Sequence, residues 1–137
     1  MDIESPVTET LARDMCRHLE MFAISISVSP QVVFCLDHAL AEYLQNLHDH
    51  SDATLSKLSL QSLQDKLVIT VLDNGKSYNI LDHPPVDTSV PFLERPIGGL
   101  GIHMIRKLLD EVHYTSENGW NTATFIKTNQ STILETP

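Results

Sequence analysis

The distribution of glycine restricts the fold of this chain more than any other sequence feature. The five glycines all fall where a tight turn or a phosphate site requires one, and they are Gly75, Gly98, Gly99, Gly101 and Gly119. The run Gly98-Gly99-Leu100-Gly101 stands directly before an amphipathic helical segment. A glycine-rich loop that opens a helix presents unpaired N–H groups at the positive end of the helix dipole, and these groups attract phosphate. The pattern therefore indicates a nucleotide-binding domain.

Hydrophobic spacing predicts helices in the N-terminal half of the chain. Apolar residues recur at three- and four-residue steps over about 5–23 and again over 30–50, and Ser5-Pro6 and Ser29-Pro30 are typical start signals. The apolar residues of 24–28 alternate with serines, which predicts a short extended link or strand. The predicted apolar stripe of the second helix comprises Val33, Leu36, Leu40, Leu44 and Leu47.

The remainder of the chain is predicted to contain strands, a long loop and a third helix. The strands lie around 58–60, 67–72, 111–116 and 120–127, with turns at 64–66 and 118–119. Four prolines make 76–97 a loop, and a helix is predicted over 98–109. Consecutive strands joined by short turns favour an α+β fold, a two-layer sandwich with a mostly antiparallel sheet and helices on one face. The whole of 1–137 is expected to be a single domain.

Composition excludes several classes of function. A formal net charge of -9 argues against direct binding to nucleic acid or to an anionic membrane, both of which need basic patches. Cys16 and Cys35 are too few and too far apart for a disulfide framework or a Cys-x-x-Cys motif. The N-terminus has no signal-peptide pattern and no segment is long enough to span a bilayer, so a cytoplasmic location is expected.

The second predicted helix carries a candidate catalytic and metal-binding pair. Glu42 and Asn46 are four residues apart and therefore share a helix face. The amide oxygen of Asn46 is a suitable ligand for Mg²⁺, and Glu42 could orient or deprotonate a nucleophile. A solvated helix edge is the alternative interpretation of the same pair.

The end of the strand at 67–72 carries a candidate base-binding group. Asp73 could accept a hydrogen bond from the exocyclic amine of adenine, and Gly75 would let the base approach the backbone. A plain turn is the alternative, since Asp and Asn often bond their own backbone at such positions. Gly98, Gly99 and Gly101 are assigned to phosphate, with a flexible cap as the alternative.

Together these three elements resemble the N-box, the Asp-x-Gly box and the Gly-x-Gly box of the GHKL ATP-binding fold, which is shared by gyrase, histidine kinases and MutL. The segments at 93–106 and 109–114 are similar to the bacterial anti-sigma-factor serine/threonine kinases almost throughout, and Ala41-Glu42, Asn46 and His50 fit the helix pattern of that family. The resemblance covers roughly 30–127.

The resemblance implies an ATP-dependent serine/threonine kinase that is also an anti-sigma regulator and phosphorylates a STAS-domain anti-anti-sigma protein. It implies ATP and Mg²⁺ as ligands, a sigma factor or equivalent target as a second partner, and leaves a homodimer open. The predicted ATP-binding residues are Asn46, Asp73, Gly75, Arg95, Gly98, Gly99, Leu100, Gly101 and Thr124, with Asn46 on the metal and Glu42 as general base. Arg95 is selected because it lies beside the glycines, where it could close over the γ-phosphate.

The chain departs from the family pattern at several positions, and two other functions compete with kinase activity. The chain reads Asp73-Asn74-Gly75 where the family often has Asp-Asp-Gly, and no strand is evident ahead of the first helix. The main alternative is a nucleotide-gated protein-binding module with little turnover. The catalytic half of a histidine kinase is the other, although no helical hairpin with a phospho-acceptor histidine precedes the domain.

Overall fold

Five short strands pair into one antiparallel sheet. The structure is a computed structural model that describes residues 1–77 and 105–129. The strands are β1 (Asp2–Pro6), β2 (Leu55–Leu63), β3 (Lys66–Asp73), β4 (Glu111–Glu117) and β5 (Trp120–Thr128). Their order across the sheet is β1-β2-β3-β5-β4, and every neighbouring pair is antiparallel. The predicted antiparallel architecture is therefore confirmed.

The two predicted tight turns are both present. Gln64, in the turn between β2 and β3, has a φ of 55°. Asn118 and Gly119, between β4 and β5, have φ values of 54° and 81°, which is the paired left-handed backbone of a type I′ hairpin. Asn-Gly is the dipeptide that tolerates this conformation best, so the sequence indicated this hairpin directly.

The N-terminus differs from the prediction. Residues 2–6 form β1, which pairs with β2 from Asp2↔Ser59 to Pro6↔Leu55, and the first helix, α1 (Leu11–Ser25), begins later than expected. Ser5-Pro6 is therefore the end of an edge strand and not a helix start. Proline is tolerated at an edge because its missing N–H removes no essential ladder bond. The prediction that no strand precedes the first helix was wrong.

The segment after α1 is a tight turn and not the predicted extended link. The carbonyl of Ala23 accepts hydrogen bonds from the N–H groups of Ile26 and Val28, at 3.3 and 3.1 Å. Ser27 has a φ of 58°, which reverses the chain. The second helix, α2 (Pro30–His50), follows as predicted, and its N-cap Ser29 side chain accepts a hydrogen bond from the N–H of Val32.

Both helices contribute to a core on one face of the sheet. The buried side chains of α1 are Leu11, Met15, Leu19 and Ala23. Those of α2 are Val32, Leu36, Ala39, Leu40, Tyr43, Leu44 and Leu47, so Val32 takes the position that the predicted stripe gave to Val33. The sheet contributes alternate residues, among them Leu58, Ile69, Val71, Ala123 and Phe125. This alternation fixes which side chains share a face with the helices.

The C-terminal part of the third predicted helix is also described. Residues 105–108 are helical, and Ile105 and Leu109 are buried in the core. The predicted loop at 76–97 and the start of this helix lie mostly outside the described residues. Across 1–77 and 105–129, no helix is long and apolar enough to cross a lipid bilayer.

Candidate functional site

The predicted pair on α2 is assembled as expected. The side-chain amide Nδ2 of Asn46 donates a hydrogen bond to Oε2 of Glu42 at 3.1 Å, and both side chains are half-buried. Because the nitrogen of the amide is turned toward Glu42, its oxygen is the atom available to a ligand. No donor among the described residues meets that oxygen.

The end of α2 is fastened to the turn that follows β3. Ser51 caps the helix, with its Oγ donating to the carbonyl of Leu47 at 2.6 Å, and its own carbonyl accepts from the N–H of Lys76 at 2.8 Å. Lys76 Nζ also lies 3.0 Å from Asp52 Oδ2. The helix that carries Glu42 and the turn that carries Asp73 are therefore held together by backbone and side-chain contacts.

Gly75 is required at this junction by packing. A Cβ at Gly75 would lie 2.7 Å from the carbonyl oxygen and from the Oγ of Ser51, and 2.9 Å from Cβ of Ala53. Such distances are shorter than real Cβ contacts. The structure therefore gives this glycine a packing role beside the cap of α2, and the predicted close approach of a base stays a prediction.

Asn74 has a structural role in the same turn. Its Oδ1 accepts from the N–H groups of Thr54 and Leu55 at 2.9 and 3.1 Å, and its Nδ2 donates to Thr54 Oγ1 at 2.8 Å. These bonds tie the turn to the segment that leads into β2. The amide at the middle position of Asp73-Asn74-Gly75 thus serves the backbone and leaves Asp73 for other partners.

Asp73 is buried at the end of β3 and is held by two donors. Its Oδ1 accepts from the N–H of Gly75 at 2.8 Å and from Nδ2 of Asn121 at 3.0 Å. Burial raises the pKa of Asp73, and the hydrogen bonds from Asn121 and Gly75 oppose that rise. Among the described residues both donors reach Oδ1, so Oδ2 is the oxygen available to a bound base.

Asn121 is the site residue that the sequence analysis did not select. It is 2% exposed, and it pairs with Asp73 across β3 and β5. It lies on the same face of β5 as the core residues Ala123 and Phe125. A polar residue at an inward-facing position of a strand was the available signal. Its contact with Asp73 depends on the register between β3 and β5, which the sequence alone does not give.

Tyr43 closes the apolar side of this region. It follows Glu42 on α2, and its ring meets Phe125 edge-on with centroids 5.4 Å apart. Burial raises the pKa of Tyr43 well above its ordinary range, with the charges of Asp73 and Tyr114 as further causes. The phenol is therefore neutral, and the ring contact joins α2 to β5 where Phe125 pairs with Ile69 of β3.

The remaining predicted site residues are separated from this cluster or lie outside the described part. Thr124 belongs to the opposite face of β5 from Asn121, and it pairs with Thr70. The sheet therefore lies between Thr124 and the Asp73 carboxylate. Arg95 and the loop Gly98-Gly99-Leu100-Gly101 are outside the described residues.

The groups present fit a magnesium nucleotide. Asn46 supplies a neutral oxygen of the hard type that Mg²⁺ takes, in keeping with the few protein ligands usual for this ion. Asp73 is buried, and its carboxylate is of the kind that accepts a hydrogen bond from an amine. The described residues thus include one group suited to Mg²⁺ and one suited to an amino group of a base.

The chain matches the family described as histidine kinase-like ATPase domain over residues 5–127. It belongs to this family. The matched span includes every element that carries Glu42, Asn46, Asp73 and Asn121. The predicted resemblance to GHKL proteins is thereby confirmed, and ATP is the nucleotide that the family implies.

Two curated relatives are protein kinases by name. The serine-protein kinase RsbW of Halalkalibacterium halodurans is 31% identical over 87 residues, which cover 59% of this chain and 54% of that protein. The serine/threonine-protein kinase BtrW of Bordetella bronchiseptica is 27% identical over 128 residues, or 87% of each chain. The chain therefore aligns with about half of the first relative and with most of the second, and the predicted likeness to RsbW-type anti-sigma kinases is confirmed.

A solved structure shares the fold. The SiaB-SiaC complex from Pseudomonas aeruginosa matches with a TM-score of 0.64 at 11% identity, over 92% of this chain and 88% of that chain. At this identity the match concerns the fold alone. It extends over nearly the full length of both chains.

Proposed function

We propose that this protein is an ATP-dependent serine/threonine kinase and anti-sigma regulator of a partner-switching pathway, with residues 1–137 acting as one domain. The observation that carries the proposal is the 3.1 Å hydrogen bond between Asn46 and Glu42 on the helix that is fastened to the Asp73 turn. That bond leaves the Asn46 oxygen for a metal and places a carboxylate beside it. The names of the two curated relatives support the same activity.

Asn46 and Asp73 have distinct roles in this proposal. Asn46 holds Mg²⁺ through Oδ1, and Asp73 holds the adenine amine through Oδ2. Bound Mg·ATP supplies the γ-phosphoryl group, with the metal neutralising the charge that accumulates on it. Outside the described residues, the sequence assigns Gly98, Gly99, Leu100 and Gly101 to the phosphates and Arg95 to the γ-phosphate.

Glu42 is the proposed general base. It lines an open groove of about 510 Å³ between α1 and α2, together with Cys16, Asp37, His38 and Gln45. A serine or threonine side chain of a partner protein can enter such a groove from solvent. Glu42 would accept the hydroxyl proton as the hydroxyl oxygen forms its bond to the γ-phosphorus, while the bond from that phosphorus to the β–γ bridging oxygen breaks and ADP leaves. Catalysis would otherwise depend on positioning.

The proposed substrate is a STAS-domain anti-anti-sigma protein, and the proposed second partner is a sigma factor or an equivalent target. The likeness to RsbW supports the first assignment, and the fold shared with a protein solved in a two-protein complex, SiaB-SiaC, is consistent with a role in partner binding. A homodimer remains compatible with these partners.

Phosphotransfer from γ-labelled ATP to purified candidate STAS proteins tests the proposal. The wild type is expected to form acid-stable phosphoserine or phosphothreonine, and Glu42→Gln to lower the rate by about 100-fold, within the usual range for a general base. Asp49→Asn is the matched control, because it makes the same kind of change at an exposed carboxylate on the same helix.

Three outcomes would contradict parts of the proposal. An undiminished rate in Glu42→Gln would remove the base assignment. Nucleotide binding without transfer to any STAS protein would favour the nucleotide-gated binding module. An acid-labile phosphohistidine would favour a histidine kinase.

A further inference from the structure

The chain contains an unassigned side chain in direct contact with the proposed base-recognition carboxylate. Asn121 Nδ2 donates to Asp73 Oδ1 at 3.0 Å, to the carbonyl of Gly75 at 2.9 Å and to the carbonyl of Lys76 at 3.3 Å. One amide group therefore joins the start of β5 to the end of β3 and to the two residues beyond the turn. Because Asn121 is only 2% exposed, its contact with Asp73 is shielded from water.

The orientation of this amide is fixed by its surroundings. All three atoms that face Nδ2 are acceptors, so a flipped amide would bring its oxygen against a carboxylate and two carbonyls. On its other side, Ser116 Oγ donates to Asn121 Oδ1 at 2.7 Å. Ser116 also pairs with Asn121 across β4 and β5, so the hydroxyl is held in place by the sheet. The hydrogen bonds therefore run in one direction, since Ser116 donates to Asn121 and Asn121 donates to Asp73.

These hydrogen bonds determine which oxygen of Asp73 can accept a hydrogen bond from a ligand. Among the described residues both donors to this carboxylate, Asn121 and the N–H of Gly75, reach Oδ1, so Oδ2 is the acceptor that we assign to the base. Donors to the carboxylate favour its charged form, which opposes the effect of burial. A charged carboxylate with one oriented acceptor favours a base that carries an amino group and repels a carbonyl oxygen at the same place.

We propose that Asn121, held by Ser116, is the positioning residue that sets the preference of this site for a 6-amino purine. The inference rests on the proposed ATP site and extends it to a residue that does not itself contact the nucleotide. Asn121 acts through Asp73, by holding one oxygen so that the other is presented to the base. A purely structural role would stabilise the junction of β3 and β5 without affecting base selectivity.

The test compares Mg²⁺-dependent binding of ATP and of purine riboside triphosphate, which lacks the 6-amino group, by calorimetry. The wild type is expected to prefer ATP by about 10- to 100-fold, the effect of one hydrogen bond to a charged group. Asn121→Leu is expected to lower this ratio by about fivefold or more, and Ser116→Ala by about threefold. Thr122→Val, on the opposite face of the same strand, is the matched control and is expected to keep the wild-type ratio.

The ratio separates a positioning role from a structural one. Loss of junction stability alone would weaken both nucleotides equally, and an unchanged ratio in Asn121→Leu and Ser116→Ala would overturn the inference. Ser116 is exposed, so Ser116→Ala is expected to fold and to give a result even if Asn121→Leu does not. Failure of the wild type to bind ATP would instead contradict the proposed function.

Discussion

Two carboxylates that this protein shields from solvent differ in their hydrogen-bond partners. Asp73 accepts hydrogen bonds from Gly75 and Asn121, whereas Asp37, between α2 and α1, has an Oδ1 that is shielded from solvent and has no hydrogen-bond partner among the described residues. Burial, followed by hydrogen bonding and charge from Glu20, raises the pKa of Asp37 to about 7. Burial raises the pKa of both groups. The hydrogen bonds from Asn121 and Gly75 oppose that rise at Asp73, whereas Glu20 adds to it at Asp37.

The largest expected difference between the two carboxylates is in nucleotide binding. Asp73→Asn is expected to weaken ATP by about 100-fold, because a charged acceptor for the adenine amine is replaced by an amide. Asp37→Asn is expected to change the affinity for ATP by less than about twofold, because Asp37 shares no hydrogen-bond partner with Asp73 among the described residues. Calorimetric titration of both variants would make the comparison, and equal losses would refute the distinction.

The turn that carries Asp73 is expected to depend strongly on packing. Gly75→Ala would bring a methyl group against the Ser51 carbonyl and Ala53, and is expected to lower the free energy of unfolding by about 1–3 kcal/mol. Gly119→Ala is a useful control, since it meets no atom within 4 Å and is affected only by its φ of 81°. It should cost about 1 kcal/mol, as measured by urea denaturation. A Gly75→Ala variant as stable as the wild type would contradict the close packing.

The Asp37 region is expected to make stability depend on pH in a defined direction. Its pKa is raised from 3.8 to about 7, so between these values the folded state keeps a proton that the unfolded state releases. Stability from this group is therefore fully present below about pH 4 and is lost as the pH rises toward 7.

Asp37→Asn should remove this dependence and be more stable than the wild type at pH 8, by about 1 kcal/mol after allowance for partial exposure. The new amide can also donate to Glu20. Urea denaturation at pH 5 and pH 8 provides the measurement, and a wild type that gains stability from pH 5 to pH 8 relative to the variant would reverse the predicted sign.

The smallest expected effect concerns the thiol next to Asp37. Burial, followed by the charges of Asp37 and Glu20, raises the pKa of Cys16 to about 12, and its Sγ donates to the carbonyl of Asp37 at 3.6 Å. In a Cys35→Ala background, Asp37→Asn should increase the alkylation rate at pH 8 by about two- to threefold, because the thiolate is easier to form. An unchanged rate would show that burial alone protects the thiol.

The sequence predicted those elements whose signals are local. Ser29-Pro30 marked the start of α2, Asn118-Gly119 marked the hairpin, and the four-residue step from Glu42 to Asn46 placed both side chains on one face. The place of Asp73 at the end of a buried strand led to its assignment to the base, and the resemblance to the anti-sigma kinases agreed with it. These features depend on residues close in the chain, so one sequence was sufficient.

The missed features depend on contacts between distant segments. β1 exists because Ile3 pairs with Leu58, and Ser5-Pro6 alone favoured a helix start. Thr124 was selected and Asn121 was not, although the strand alternation through Ala123 and Phe125 places only Asn121 on the face of Asp73. The packing of Gly75 against the cap of α2 is likewise visible only in the packed structure, and the role of Gly75 in binding a base stays a prediction.

The proposed magnesium nucleotide site is tested most directly by titrating ATP into the wild type and into Asn46→Ala, each with Mg²⁺ and with EDTA. The wild type is expected to bind ATP more tightly with the metal. Asn46→Ala should lose that metal-dependent gain by about tenfold or more while binding in EDTA is little changed. Absence of ATP binding by the wild type, or an equal metal effect in both proteins, would contradict the assignment of this site.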